Sequence, residues 1–461
     1  MNMKRRNIMR TARSLIIILV LIAVCLTSVW TQEVSEKKEI AVFNLSYAAY
    51  SVPNSALVLV DQSIQNVFID LGRFDIIGMD YRLESGDINE FINKVKEVKE
   101  TNLEVPEEVR LGEATFTEAD FNRLVGSFIV VVPVMSYYNV YRDGDEYEAE
   151  IQTSFTFIKV DEARAFASFQ IDTSSSGENA DQAVKNAVDM IPVQLQYELR
   201  SIDEFKLKTG IIDIEGNEYI MEFGKNMGVE IGDEYVSTIS RVLPSGYTKT
   251  EETGLFVIKS VDQEIATATR IYSEGKPSLG DQLVEVPRLG FEATVYGHYL
   301  PVEDNENTDA EEKNRLVLGL RAVGARGFYN WRPVVGVEVP LGDSLAIWFP
   351  VIGYVGMEYN LRLGRLSIAP SGVFGAGSMV PIIGDEEFKE DFDFIASFGG
   401  TAQVNVNYLI NRDTIFQIYT GYSIYMSLLD SDLLNAITED GLTNPAAVQG
   451  SFVGLGLTFK L

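Results

Sequence analysis

Residues 394–408, FIASFGGTAQVNVNY, alternate with a period of two. Phe394, Ala396, Phe398, Ala402, Val404, Val406 and Tyr408 share one side of an extended chain, while Ser397, Thr401, Gln403, Asn405 and Asn407 share the other. Successive side chains of a strand point to opposite faces. This stretch therefore has one apolar face and one face of small polar groups. A lipid-facing side and a polar lumen side have that signature in a transmembrane barrel. The soluble alternative is a β-sandwich, which needs long apolar faces covered by a second layer.

The neighbouring sequence favours the barrel. Residues 413–427 repeat the pattern, with Phe416, Ile418, Tyr422 and Ile424 against Gln417 and Ser423. Eight such strands are expected, at about 289–300, 315–327, 331–340, 344–362, 365–379, 391–410, 413–427 and 450–461. The connections after strands two, four and six are tight (327–330, 363–364 and 411–412), and those after strands one, five and seven are long (301–314, 380–390 and 428–449). Short turns at one end and long loops at the other are the habit of membrane barrels; only 341–343 breaks the alternation. An even strand count leaves both barrel ends on the side of the preceding residues. The chain closes on Gly456, Phe459 and Leu461, the spacing of a barrel-insertion signal, with Leu461 where an aromatic residue is usual. Alternation places Glu292, His298, Arg321, Glu338, Glu358, Arg362, Asp393 and Lys460 in the lumen. Eight strands leave room only for side chains, so this polar network should plug the barrel.

Upstream, residues 32–205 read as α+β. Strands are expected at 40–45, 73–79, 127–141, 148–160 and 165–172, with a turn at Asp143-Gly144. Helices are expected at 55–71 (Leu59, Ile64, Val67 and Leu71 inward), 88–99, 116–125 with Thr117 as N-cap, and 179–200 as one long element with Val184, Val188, Ile191 and Leu195 inward. Residues 206–287 carry short strands with glycine turns, a small β-barrel or sandwich. Gly232-Asp233 and Gly280-Asp281 are turn pairs whose aspartates would bond the following amides.

The order IAVFNL (40–45), helix, LGRFDIIGMD (71–80), GSFIVVVPV (126–134) resembles the α+β domain of the curli-secretion lipoprotein CsgG and the N-terminal domain of the Tol-system protein TolB. Residues 206–287 resemble the C-terminal domain of flagellar assembly protein T, a family that also places a TolB-like domain upstream. The C-terminal part resembles small eight-stranded outer-membrane barrels. These resemblances imply a multidomain protein: a periplasmic α+β domain, a small all-β domain, then a C-terminal transmembrane antiparallel β-barrel at 288–461.

Residues 1–31 have the export pattern. Lys4, Arg5, Arg6, Arg10 and Arg13 precede an uncharged apolar run at 15–26, shorter than the ~20 residues of a spanning helix. Cleavage is expected after Thr31. Cys25, the only cysteine, follows the bulky Val24 and reads as a signal residue rather than a lipid-carrying one. Losing these five cations takes the net charge from −29 to −34. So acidic a chain does not bind nucleic acid or anionic headgroups through bulk charge.

The serine-nucleophile elbow, the phosphate-binding loop and the paired-histidine zinc motif are all missing from the sequence. His298, the only histidine, could serve as a general base with a serine and a carboxylate, as in lipid-modifying barrels; no serine motif accompanies it. The expectation is a non-enzyme with no cofactor and no metal site, an outer-membrane anchor for a periplasmic scaffold or binding module. Its expected partners are outer-membrane lipid, the barrel-assembly machinery and an unknown periplasmic protein. The alternatives are a surface protein that binds an external ligand through acidic loops, and a barrel transporter or lipid-modifying enzyme.

Overall fold

A computed structural model of the chain describes residues 34–47, 52–83, 86–101, 108–111, 114–119, 121, 129–300, 315–341, 348–381, 395–428 and 448–461. The expected signal segment 1–31 with Cys25, Asp393, Phe394 and nearly all of the three long connections lie outside these residues.

The first unit runs β1 (Lys38–Asn44), β2 (Ser46–Tyr47), α1 (Asn54–Asp70), β3 (Phe74–Arg82), α2 (Ile88–Thr101), β4 (Glu108–Leu111), β5 (Ala114–Thr117), β6 (Ile129–Asp143), β7 (Glu146–Lys159), β8 (Arg164–Gly177), α3 (Ala180–Asp189) and α4 (Ile191–Ser201). Its main sheet has the order β3-β1-β6-β7-β8. β1 is parallel to both neighbours and β2 pairs in parallel with β6, while β6-β7 and β7-β8 are antiparallel. β1 is apolar throughout because both its faces are covered. Ile40 and Val42 pack with α1, α3 and α4, while Ala41 and Phe43 pack on the opposite face with Phe91, Phe116 and Phe121.

Three expectations need correction here. The helix expected over 116–125 begins after Thr117 rather than at Phe116: Phe116 and Thr117 end β5, paired with β4, and the described residues Glu118, Ala119 and Phe121 are helical. The alternating Thr115-Phe116-Thr117 suits a strand, and Phe116 sits edge-on to Phe43 at 5.9 Å. The single helix expected over 179–200 breaks at Met190 into α3 and α4. Pro192 lies in the first turn of α4, where its missing N–H costs no helical bond. Leu59 is exposed; the buried stripe of α1 runs through Ala56, Val60, Ile64, Val67 and Leu71, one residue out of phase with it.

The second unit is a closed six-stranded barrel of β9 (Lys208–Glu215), β10 (Glu218–Glu222), β11 (Glu234–Val242), β12 (Thr248–Val261), β13 (Ile265–Ser273) and β14 (Gln282–Val286), in the order β10-β13-β12-β11-β14-β9. Tyr219, Met221, Phe256, Ile258 and Leu283 fill it.

The third unit comprises β15 (Phe291–Leu300), β16 (Arg315–Gly324), β17 (Trp331–Leu341), β18 (Trp348–Tyr359), β19 (Leu361–Leu363), β20 (Leu366–Pro381), β21 (Ile395–Asn411), β22 (Thr414–Ser427) and β23 (Val448–Lys460). β18 and β19 are one stave interrupted at Asn360, so the ring has eight staves, all antiparallel. It is closed by β15 against β23 and β18 against β20. The amide of Leu461 donates to the carbonyl of Phe291 at 3.1 Å, locking the last residue to the first strand.

The alternation of β21 is realised in space. Ser397, Thr401, Asn405 and Asn407 are buried in the lumen, while Phe398, Ala402, Val404, Val406 and Tyr408 face out. Val295, Leu320, Val355, Phe374, Ile418 and Val453 extend that exposed apolar surface around the ring. An uncovered apolar belt of this extent is foreign to a water-facing barrel. The tight turns all lie at the end that meets the six-stranded barrel: Arg326 reaches Asp233, Arg365 stacks over Tyr272, and Arg412 pairs with Glu252.

Candidate functional site

Two connected polar regions stand out, the lumen of the large barrel and the joint below it. In the upper lumen His298 stacks on Phe452 with ring centroids 4.3 Å apart. Its Nδ1 lies 3.3 Å from the Tyr419 hydroxyl. Lower down, the Tyr296 hydroxyl donates to Glu338 at 2.7 Å and meets the Tyr354 hydroxyl at 2.8 Å. Below these, Arg321 and Arg332 share Glu358, at 2.5 Å from Arg321 Nη2 and 2.8 Å from Arg332 Nε, and Arg332 also holds Glu292 at 2.9 Å.

The tyrosines occupy the lumen because glycines on adjoining strands leave space for them. A methyl group on Gly319 would overlap the ring of Tyr296, one on Gly336 that of Tyr354, and one on Gly454 that of Tyr419. Rings laid on glycines, with an arginine–carboxylate ladder beneath, fill the bore that eight strands enclose.

Of the six residues expected to form the network, Glu292, Arg321 and Glu358 join the ladder. Glu338 bonds to a tyrosine, and His298 touches aromatic rings and a phenol. Arg362 departs from the expectation. It lies beyond the interruption at Asn360, stacks over Tyr329 at 4.5 Å and donates to that residue's carbonyl at 2.6 Å. Among the described residues it forms no ion pair. Lys460, also expected in the lumen, instead reaches down to Glu234 of the six-stranded barrel. Sequence reasoning missed Arg332, although it shares the parity of Glu338 on β17. It also assigned no side to Tyr296, Tyr354 and Tyr419, which face inward.

The joint is built from all three units. Glu285 of β14 receives Arg73 at 2.8 Å, from the start of β3, and Arg200 of α4 at 2.6 Å. Asp233 takes the other side of Arg200 at 2.8 Å and Arg326, from the β16–β17 turn, at 3.0 Å. The Leu207 amide also donates to Glu285 at 3.0 Å. A second rank, Arg288 with Glu234 and Asp413 at 3.1 and 2.7 Å, ties β11 to the β21–β22 turn.

The aspartates of the two Gly-Asp turns accept from preceding amides rather than following ones: Glu230 to Asp233 and Ser278 to Asp281, each at 2.8 Å. They close the turns from behind. For Asp233 this leaves Oδ1 free to gather two arginines. Gly232 at φ +85° packs against the Ala325 carbonyl, an approach that a side chain would block.

Burial alone would raise the Glu285 carboxyl. Arg73 and Arg200 outweigh it and hold the group well below its ordinary 4.5. A group depressed in the folded state adds stability above its unfolded pKa and loses it as pH falls through the folded one. Thermal melts of the purified protein should therefore show the Glu285 contribution constant from pH 8 down to about 5. It should decline only in stronger acid. A loss centred between pH 6 and 7 would contradict a dry, ion-paired Glu285.

No family model matches the chain, and no curated protein does. Solved structures that overlap parts of it include Neisserial surface protein A, at 8% identity over 37% of this chain and 96% of that one, TM-score 0.27. Ail, an outer membrane protein of Yersinia pestis, overlaps at 13% identity over 37% and 99%, TM-score 0.21. Lipoprotein GNA1162 of Neisseria meningitidis overlaps at 8% identity over 34% and 96%, TM-score 0.21. Likenesses this distant say nothing of function.

Proposed function

We propose that this protein is an outer-membrane anchor that holds a periplasmic scaffold or binding module in a fixed pose against the membrane, without enzymatic activity. The observation that carries the reading is the pairing of an apolar-belted, filled eight-stranded barrel with a buried ion cluster joining its tight-turn rim to both preceding units. A barrel with its bore occupied by rings and ion pairs suits anchorage better than passage. Arg200 and Arg326 on one carboxylate suit a joint that does not hinge, because swinging it open would strand buried charges.

On this reading lipid contacts the belt, and the barrel-assembly machinery recognises Gly456, Phe459 and Leu461 at the closing strand. An unidentified periplasmic protein binds the first unit. His298, ringed by Phe452 and Tyr419, is a packing residue.

Sidedness tests the reading. Membrane-impermeant protease on intact cells is expected to cut within 301–314 or 428–449, where Glu303, Asp304, Glu306 and Asp309 keep the first segment wet. It should spare residues 34–287 until the outer membrane is opened. Digestion of those residues on intact cells would remove the scaffold from its compartment and overturn the proposal.

A further inference from the structure

The strands β11 and β12 outrun the barrel they belong to. β11 pairs with β14 as far as Ser237, and β12 pairs with β13 only from Gly254 onward. Between these limits Thr238–Val242 pairs solely with Thr248–Glu252, closed by the turn at Gly246. The course of this free hairpin follows from three successive contacts with the large barrel. Glu234 meets Lys460 and Arg288 beneath the mouth. Val236, Leu255 and Val257 then pack in one cluster with Leu409, with Ile415 against it. Glu252 next pairs with Arg412, in the turn joining β21 to β22 on the wall itself. The ribbon thus runs from under the bore to its perimeter along the rim, and residues 239–251 continue past the wall. At ~3.3 Å per residue the arm beyond Thr238 reaches roughly 13 Å, before its turn is counted.

Past that wall, at the level of the tight turns, the outward apolar surface ends at Tyr408 and Ile410. The overhang carries chemistry suited to such a boundary. Val242 and Tyr247 are 62% and 76% exposed at its end. Arg241 and Lys249 face each other across the arm with Glu251 between them, leaving one net positive charge. Tyrosine with arginine and lysine is the composition of membrane interfaces, where the ring lies among headgroups and the cations reach phosphate. A two-stranded ribbon with no third strand is marginal in water, so a surface to lie on would also stabilise it.

We propose that the Thr238–Thr253 hairpin lies in the headgroup layer of the leaflet that faces the N-terminal units. There it serves as a second, peripheral lipid contact that stops the six-stranded barrel from rocking on its mount. The inference rests on the membrane-barrel reading above, and the experiment separates the two. The full chain carries Cys25→Ser and a single fluorophore at Tyr247→Cys, in nanodiscs of phosphatidylethanolamine and phosphatidylglycerol with or without headgroup-nitroxide lipid. Parallel samples are labelled at Val242→Cys and, on the barrel wall, at Phe374→Cys with chain-nitroxide lipid. The expected result is a large loss of intensity at 247 and 242 in the headgroup-nitroxide discs, and at 374 in the chain-nitroxide discs. Quenching at 374 with none at 247 or 242 overturns the hairpin proposal and leaves the barrel standing. No quenching at 374 removes the barrel reading and the hairpin proposal with it.

Discussion

Glu285→Ala is expected to destabilise the two N-terminal units by about 3–5 kcal/mol, the cost of leaving buried charge without its partner. The carboxylate is fully buried and receives both Arg73 and Arg200, whose side chains are 3% and 1% exposed. Alanine would strand two guanidiniums in a dry joint, with Asp233 left to hold Arg200 alone. Denaturant unfolding of the purified protein measures the loss. Asp281→Ala, in an exposed turn of the same barrel, is the comparison and should cost no more than its turn bond from Ser278, about 1 kcal/mol. Equal effects of the two would mean that water reaches Glu285. The joint would then be a surface ion pair of little consequence.

Gly336→Leu is expected to prevent barrel closure. At this position an added side chain meets the Tyr354 ring and hydroxyl and the Leu320 carbonyl. Tyr354 cannot move aside without breaking its bond to Tyr296 and the Tyr296–Glu338 contact beyond it. Overpacking of this kind typically costs about 1–3 kcal/mol in an adaptable core. A closed ring adapts less, since every stave is held on both edges. Gly353→Leu, on the facing strand β18, is the control: nothing lies within 4 Å of an added Cβ there. On gels of unboiled samples, Gly353→Leu should keep the shifted mobility of a closed barrel and Gly336→Leu should lose it. Normal closure of Gly336→Leu would show that the lumen is loosely filled and undo the argument against passage.

Alternation alone puts Gly336 on the side of Glu338 and Gly353 on the side away from Glu358, but the sequence does not show that the Tyr354 ring occupies the space at Gly336. Strand order, by contrast, was legible, because hairpin connectivity makes neighbours in sequence neighbours in the sheet. The tight turns at 363–364 and 411–412 therefore identified which strands pair and at which end. In the first unit, apolar runs located the strands, but Phe116 was read as helical. A four-residue strand has too few positions to separate a period of 2 from one of 3.6.

By itself, the sequence determined what depends on local periodicity: an eight-stave antiparallel ring, an apolar outside, a polar inside, and a smaller β unit and an α+β unit before it. Alternation states which side of a strand a residue takes, and so it placed Glu292, Arg321 and Glu358 inward. It carries no information on height along the bore or on which residue stands opposite. Only the tertiary structure brought Arg332 between Glu292 and Glu358, sent Lys460 out of the lumen to Glu234, and turned Arg362 onto Tyr329. Only the tertiary structure, too, joined Arg73, Arg200, Asp233, Glu285 and Arg326 across 253 residues of chain. Charged pairs are matched by distance in space, and no periodicity records a contact between residues so far apart in the chain.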